Sequence, residues 1–401
     1  MGERTLGAAV RCGRGTYPAT LLHGKGGRQA GVCVHEPFGC PTMNLLFAGD
    51  LAWPDTDIID LSALGDLTAH GPLLVNLEGG IIDGPAEQSA VANEYKFNLF
   101  SHASVVDVLK RLNVVACGLA NNHVSDYVGA VDISKTLLAQ QDIAVCGTRD
   151  VPWCEFTVGD TQFVVFAACS RLPEPRVDST ADHALIFEPA AALATLRSLR
   201  ARFPQATLVA FMHWGYELAR YPQPADREWA REAVDAGVNL VIGHHPHIVQ
   251  GVEQYKAGVI AYSLGNFLLP QVPYRGRKLH YKTPAVCEQL ILEAAPSGLR
   301  AHWLQYDPAS QTVTYDHSGP VLDDDRIRQR TPFAGMTDSE YRSWFSKEGR
   351  FGTEGKLPGT VFWGYRGWRG AESTLKLAYL SARRSVRKLA ISTGVHKPYN
   401  W

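Results

Sequence analysis

Apolar residues along this chain fall in short, continuous runs, each followed by a polar cluster and then by a helical pattern. The runs are LLFAG (45–49), LLVNL (73–77), VVACGLA (114–120), FVVFAA (163–168), TLVAFM (207–212), LVIG (240–243) and VIAYSLG (259–265). Continuous rather than alternating runs predict strands covered on both faces. Helical spacing occupies Ser104–Leu112, Ala130–Gln141, Ala190–Phe203 and Ala225–Ala236, the last stopped by Gly237. Strands alternating with helices predict an α/β fold with a largely parallel sheet. Past residue 280 the segments CEQLILEA (287–294) and LRAHWLQY (299–306) read as antiparallel strands.

Both ends depart from this rhythm. Residues 1–42 are glycine-rich and without period, which predicts a poorly ordered extension. The folded domain is expected over 43–320, with a C-terminal extension over 321–401. That extension is aromatic from Tyr341 to Trp368 and then helical over 372–391. Leu375, Ala378, Tyr379, Ala382, Val386 and Leu389 lie on one side, and Lys376, Arg383, Arg384, Arg387 and Lys388 on the other. The expectation is that the apolar face packs on the domain, with a membrane-surface role as the alternative.

Composition adds limits. The 401 residues are 45% hydrophobic and 20% charged, ordinary for a globular enzyme, and no run approaches a membrane span. Eight cysteines form no CxxC pair, and Cys117 and Cys169 lie within strand-like runs where a reduced thiol simply packs. A cytoplasmic location, peripheral to a membrane at most, is the expectation. Net charge is −1, yet residues 342–401 hold 12 Lys and Arg against 3 Asp and Glu. This basic end suits an anionic partner or a membrane surface, and a solvated helix face accounts for it as well. Nothing in the pattern points to nucleic acid.

The chemistry lies where the runs stop. Asp50 follows the first, Glu78 the second, Asn122 and His123 the third, His213 the run ending at Met212, and His244, His245 and His247 follow LVIG. Ligands bind in α/β sheets beyond the carboxyl ends of the strands. Singly, each such residue reads as a cap, a turn or a hydrogen-bonded histidine. Five coincidences at one edge do not, and three imidazoles in GHHPH are best explained by metal, which binds the neutral form. A thiolate-free Asp/Glu/Asn/His set suits Mn, Fe or Zn. Glu217 and Asp126 are candidates to orient the imidazoles, and Asn266 to shape the pocket floor. Lys96, Arg171 and Arg176 lie in connections able to reach an anionic substrate, although solubilising charge explains each one too.

The segments FAGD (47–50), NLE (76–78), LANNHVSDYVG (119–129), MHWGYE (212–217), AGVNLVIGHHPHIVQGVEQY (236–255) and IAYSLGNF (260–267) resemble, in order and spacing, the CapA (poly-γ-glutamate capsule) family of the calcineurin-like metallophosphoesterase superfamily. The resemblance implies a four-layer α/β/β/α sandwich with two divalent metal ions. It implies Asp50 and His247 on one metal, Glu78 bridging, Asn122, His213 and His245 on the other, and His123 beside them as catalytic acid or electrostatic clamp. The superfamily's Asp-x-His reads Asp50-Leu51-Ala52 here, so one site is short of a nitrogen and is weak, or is filled by water or His244. Two functions follow: a metal-dependent hydrolase acting on a phosphoester or a γ-glutamyl-type amide, or a capsule or exopolymer assembly component whose metal site is structural or vestigial.

Overall fold

The computed structural model describes residues 44–349 except 56–57, 85–96, 171–181, 276 and 296–297. It also describes 11–12, 351–352, 355–356 and helical positions between 375 and 386. Lys96, Arg171 and Arg176 lie outside the described residues. Two seven-stranded sheets face each other, with helices on their outer sides.

The first sheet contains β1 (Leu45–Leu51), β2 (Leu73–Leu77), β3 (Val114–Gly118) and β4 (Ala144–Cys146), all parallel. The second is built on β5 (Trp153–Val158), β6 (Thr161–Cys169), β7 (Thr207–His213), β8 (Leu240–His244), β9 (Val252–Tyr255) and β10 (Gly258–Ala261). Within it β6, β7, β8 and β10 run parallel, and β5 and β9 close the edges antiparallel. The late segments β11 (Glu288–Ala295), β12 (Gly298–Asp307) and β13 (Thr312–Pro320) return to the first sheet and extend it antiparallel from β1. Strands β11 and β12 correspond to the expected segments CEQLILEA and LRAHWLQY, whereas β13, partly in a stretch rich in turn residues, was not expected.

Side chains of β6 and β7 divide by parity, because successive residues of a strand point to opposite faces. Val165, Ala167, Val209 and Phe211 enter the core between the sheets. Val164, Phe166, Leu208, Ala210 and Met212 enter a second core under α4 (Pro189–Arg202) and α5 (Pro224–Asp235). Both helices begin with proline at their first positions, where its missing N–H has no partner to lose. Helices α2 (Val105–Arg111) and α3 (Ala130–Ala139) bury Val105, Val108, Leu109, Val131 and Leu138 with the first sheet. The short α1 (Gly65–Thr68) joins β1 to β2.

Three expectations change. Arg11–Cys12, within the segment expected to be disordered, pairs antiparallel with β5 at the edge of the second sheet. The folded unit does not end at 320. After α6 (Asp325–Arg330), α7 (Asp338–Trp344) is held by a Thr337–Glu340 capping box, and Phe333, Tyr341 and Phe345 enter the outer core of the second sheet. Thus Tyr341, Trp344 and Phe345 of the aromatic segment pack on the domain, whereas Phe362, Trp363, Tyr365 and Trp368 lie outside the described residues. The C-terminal helix does the opposite of what was expected of it. Leu375, Ala378, Tyr379, Ala382 and Val386 are helical and exposed, with Leu375 at 73%, so these described positions are not packed on the domain, while Leu389 lies outside the described residues.

One buried ion cluster joins three of these elements. Arg227 on α5 donates from Nε and Nη2 to both oxygens of Glu253 on β9, at 3.0 and 2.8 Å, and also to the Met336 carbonyl at 2.8 Å. Tyr262 donates to the same carboxylate at 2.7 Å. Both ions are almost wholly buried, so removing Glu253 leaves Arg227 in a low dielectric with only the Met336 carbonyl and a 3.3 Å contact to Asp338. Glu253→Ala is expected to lower unfolding free energy by about 3–5 kcal/mol, read from denaturant titration. Asp235→Ala, which breaks the exposed pair with Lys256, is expected to leave the midpoint unchanged.

Candidate metal centre

The carboxyl ends of β1, β2 and β3 in one sheet meet those of β7 and β8 in the other. Asp50 is the penultimate residue of β1, Glu78 follows β2, and Asn121, Asn122 and His123 follow β3 by a few residues. His213 and His244 end β7 and β8 and are register partners. Two glycines allow a third segment to cross here. A Cβ on Gly49 would fall 2.0 Å from the Gly265 carbonyl oxygen, and one on Gly243 would fall 1.9 Å from that of Tyr262. The 262–267 segment therefore lies against β1 and β8, with Asp50 N donating to Gly265 O and Phe267 N to Asp50 O. His245 and His247 have φ of 94° and 58°. Such left-handed backbone is costly for a residue with a Cβ and persists where the surroundings enforce it.

The side chains converge on Glu78. Its Oε2 is 3.7 Å from His247 Nδ1, which is 3.4 Å from Asp50 Oδ2. Its Oε1 is 3.7 Å from His213 Nε2, and the His213 ring centroid is 4.8 Å from that of His245. Two donor sets result, Asp50–Glu78–His247 and Glu78–His213–His245, sharing one carboxylate. Asn122 Oδ1 joins the second set at 2.7 Å from His213 Nε2. His244 Nδ1 lies 3.6 Å from Asp50 Oδ1, on the side where a histidine two residues after Asp50 is missing.

Burial sets the charges. It pushes the pKa of His244 and of His245 down to about 4, and that of His213 well below its ordinary value. Burial pulls His247 down as well, but the Glu78 and Asp50 carboxylates outweigh it and raise this imidazole to about 10. Burial acts to raise Asp50, and His247, His244 and His213 overcome it, holding that carboxyl well below its usual range. Both ring nitrogens of His244 and Nδ1 of His245 are buried without a hydrogen-bond partner. Neutral imidazoles with free nitrogens beside two carboxylates are the donors a divalent transition metal takes, so these residues fit such an ion.

The surrounding residues divide. His123 Nδ1 is 2.6 Å from Asp126 Oδ2, which also accepts from Leu99 N, and His123 Nε2 is 4.0 Å from Glu78 Oε1. Asn266 Oδ1 accepts from His247 Nδ1 at 2.9 Å, while its Nδ2 donates to Val286 O. Glu217 is exposed, and its charge acts on His245 and His247.

Residues overlooked in the sequence complete the surroundings. Asn76 donates from Nδ2 to Asp50 Oδ1 at 2.7 Å, and the same nitrogen is 3.2 Å from His213 Nδ1. Asn121 donates to Leu77 O and accepts from His123 N, which fixes the turn carrying Asn122 and His123. The signal for Asn76 was present, two residues before Glu78 in NLE and hence on the same strand face. Tyr281, whose ring lies 5.4 Å from His247, carries no such signal because it arrives on a distant loop.

The family described as bacterial capsule synthesis protein PGA_cap matches residues 61–271. The chain belongs to this family. It is 30% identical over 193 residues to the capsule biosynthesis protein CapA of Bacillus anthracis, a match covering 43% of this chain and 44% of that one. A "Probable polyglutamine synthesis accessory protein" of Mycobacterium tuberculosis is 29% identical over 294 residues, covering 66% of this chain and 74% of that one. The chain thus spans less than half the length of the Bacillus relative. The NAD nucleotidase of Haemophilus influenzae overlays with a TM-score of 0.35 at 11% identity, covering 69% of this chain and 49% of that structure. Among the described residues no helix is long and apolar enough to cross a membrane.

Protein purified without chelator is expected to hold one to two transition-metal ions by elemental analysis, and His245→Ala with His247→Ala to lose most of them. A metal content unchanged by the double substitution would remove these residues from the ligand set. Proton release gives a second check. Up to about pH 10 the metal-free His247 carries a proton that a ligating cation must displace, while the other three imidazoles are already neutral. Metal binding at neutral pH should then release about one proton per chain, and affinity should rise with pH toward 10. Calorimetry in buffers of different ionisation enthalpy measures this. In the metal-free protein the same shift stabilises the fold fully below the ordinary histidine value and is lost as pH rises through about 10.

Proposed function

We propose that the chain is a metal-dependent hydrolase with a dinuclear centre, cleaving a phosphoester or a γ-glutamyl-type amide. The observation that carries this reading is the shared carboxylate: two donor sets meet at Glu78, and a histidine already paired with a carboxylate stands beside it. On this reading Asp50, Glu78 and His247 hold one ion, and Glu78, Asn122, His213 and His245 the other. Such ions supply Lewis acidity, lowering the pKa of a water and stabilising charge on the attacking and leaving atoms.

The chain's own groups do the rest. Asp126 accepts from Nδ1 of His123, which turns Nε2 toward the crevice. His123 can then give a proton to the departing oxygen or nitrogen. Asn76 keeps Asp50 and His213 in place from behind, while Asn266 meets His247 on Nδ1, the nitrogen that also faces the two carboxylates.

A second reading rests on the names of the relatives, one a capsule biosynthesis protein and one an accessory protein of polyglutamine synthesis. In it the chain serves polymer assembly, and its metal is structural. His123→Asn separates the two. A hydrolase should keep its metal and fold while kcat falls by about two orders of magnitude or more, measured on phosphomonoesters, phosphodiesters and γ-glutamyl amides. A structural site predicts a variant indistinguishable from wild type. Loss of metal together with activity would make His123 a ligand.

A further inference from the structure

A second cluster of histidines and a carboxylate lies at the opposite end of β1. Asn44 precedes this strand and Asp50 nearly ends it, so six residues at ~3.3 Å each put the two clusters about 20 Å apart. The second cluster is His70, in the turn between α1 and β2, with Glu293 on β11 and His302 on β12. Glu293 and His302 share a face of the sheet, because His302 is the register partner of Ile291, two residues before Glu293. Their donor atoms converge: His302 Nε2 is 2.7 Å, and His70 Nδ1 3.5 Å, from Glu293 Oε2. The two rings meet edge to face with centroids 4.9 Å apart.

The remaining atoms of the buried pair are held from the far side. Asn44 Nδ2 donates to Glu293 Oε1, leaving Oε2 to face the imidazoles. His302 Nδ1 lies 3.2 Å from the Tyr315 hydroxyl, a hydrogen bond that orients the ring and leaves Nε2 toward the carboxylate. Metal-bound histidines and carboxylates are commonly fixed in this manner, by partners on the atom that does not ligate. Burial lowers the His302 pKa against the pull of Glu293, favouring the neutral ring. Glu293 and His302 are buried, whereas 44% of the His70 side chain is exposed.

We propose that His70, Glu293 and His302 bind a zinc-class divalent cation at a site separate from the crevice, with its fourth position open to water. Around a tetrahedral ion with bonds of about 2.0–2.1 Å, ligand atoms stand roughly 3.3 Å apart. The observed 2.7 and 3.5 Å separations bracket that value, so a shift of a few tenths of an ångström at Glu293 and His302 admits the ion. The three ligands come from three segments, so the cation would cross-link the turn before β2 to the antiparallel half of the first sheet. Nothing nearby resembles the acid of the crevice, and the role assigned to this ion is structural.

The test uses the full chain with Zn²⁺ and Co²⁺ alone as probes. In the His245→Ala, His247→Ala background, one added Zn²⁺ or Co²⁺ per chain should bind, giving the visible absorption of low-coordinate cobalt and a rise in melting temperature with zinc. Adding His70→Ala, a change at a half-exposed position, should abolish both. Glu293→Gln keeps the shape and hydrogen-bonding capacity of the side chain but offers a poor ligand, and should weaken binding at least tenfold. Should the crevice background fail to fold, His70→Ala in the otherwise unaltered chain should lose one ion and leave hydrolysis unchanged. Metal content, cobalt spectrum and thermal shift indifferent to both His70→Ala and Glu293→Gln would overturn the proposal and leave an ordinary hydrogen-bonded His–Glu–His cluster.

Discussion

Two carboxylates, Asp50 and Glu78, are held with no solvent exposure at the junction of two sheets, among four buried imidazoles. Burying such charge costs several kcal/mol per ion unless it is compensated nearby. In the protein alone the compensation comes from a protonated His247 and from the hydrogen bonds of Asn76 and the His245 N–H to Asp50. A divalent cation would replace the proton of His247 and use the imidazole nitrogens that otherwise have no partner. The rest of the centre follows from this need: the strained backbone at His245 and His247, the glycines at 49 and 243, and the close crossing of the 262–267 segment.

The frame that withstands this concentration of charge is packed on every side. Phe211 shows how closely, since its ring leaves no room for a Cβ on Gly118 across the gap between the sheets. Outside the second sheet, Arg227 and Glu253 bind α5, β9 and the start of α7 into one cluster, and Tyr341 seals it through a hydrogen bond to Pro222 O. The loop from 214 to 223 leaves the end of β7 at His213 and runs into α5, so that cluster anchors the return of a segment that carries a donor.

Membership of the PGA_cap family and the shared carboxylate point the same way without being the same kind of fact. The family match covers residues 61–271, which takes in Glu78, Asn122, His123, His213 and the GHHPH segment but begins after Asp50. Asp50 lies outside that match and enters the centre on its place after the first strand-like run and on its distances to His247, His244 and Asn76. The His70–Glu293–His302 cluster straddles the same limits, with two of its three members beyond them.

The sequence by itself determined the strands that are covered on both faces, because continuous apolar runs need no knowledge of their neighbours. It also placed Asp50, Glu78, Asn122, His123, His213 and the 244–247 histidines at the carboxyl ends of strands, which the structure divides between two facing sheets. Parallel strands joined by helices put all their carboxyl ends on the same side. Tertiary structure alone decided the rest. Strands β5 and β9 were missed because at a sheet edge the alternation of buried and exposed residues is short and broken by polar side chains. Tyr281 acquires its place only from a distant loop, and Glu293 and His302 come together only through the pairing of β11 with β12 and with β1. Whether an amphipathic helix covers its apolar face is likewise not written in its period: 372–391 has the pattern of a docked helix, and its described apolar positions are exposed. Local periodicity reports which residues could be buried together, and only the arrangement of distant segments supplies the surface that buries them.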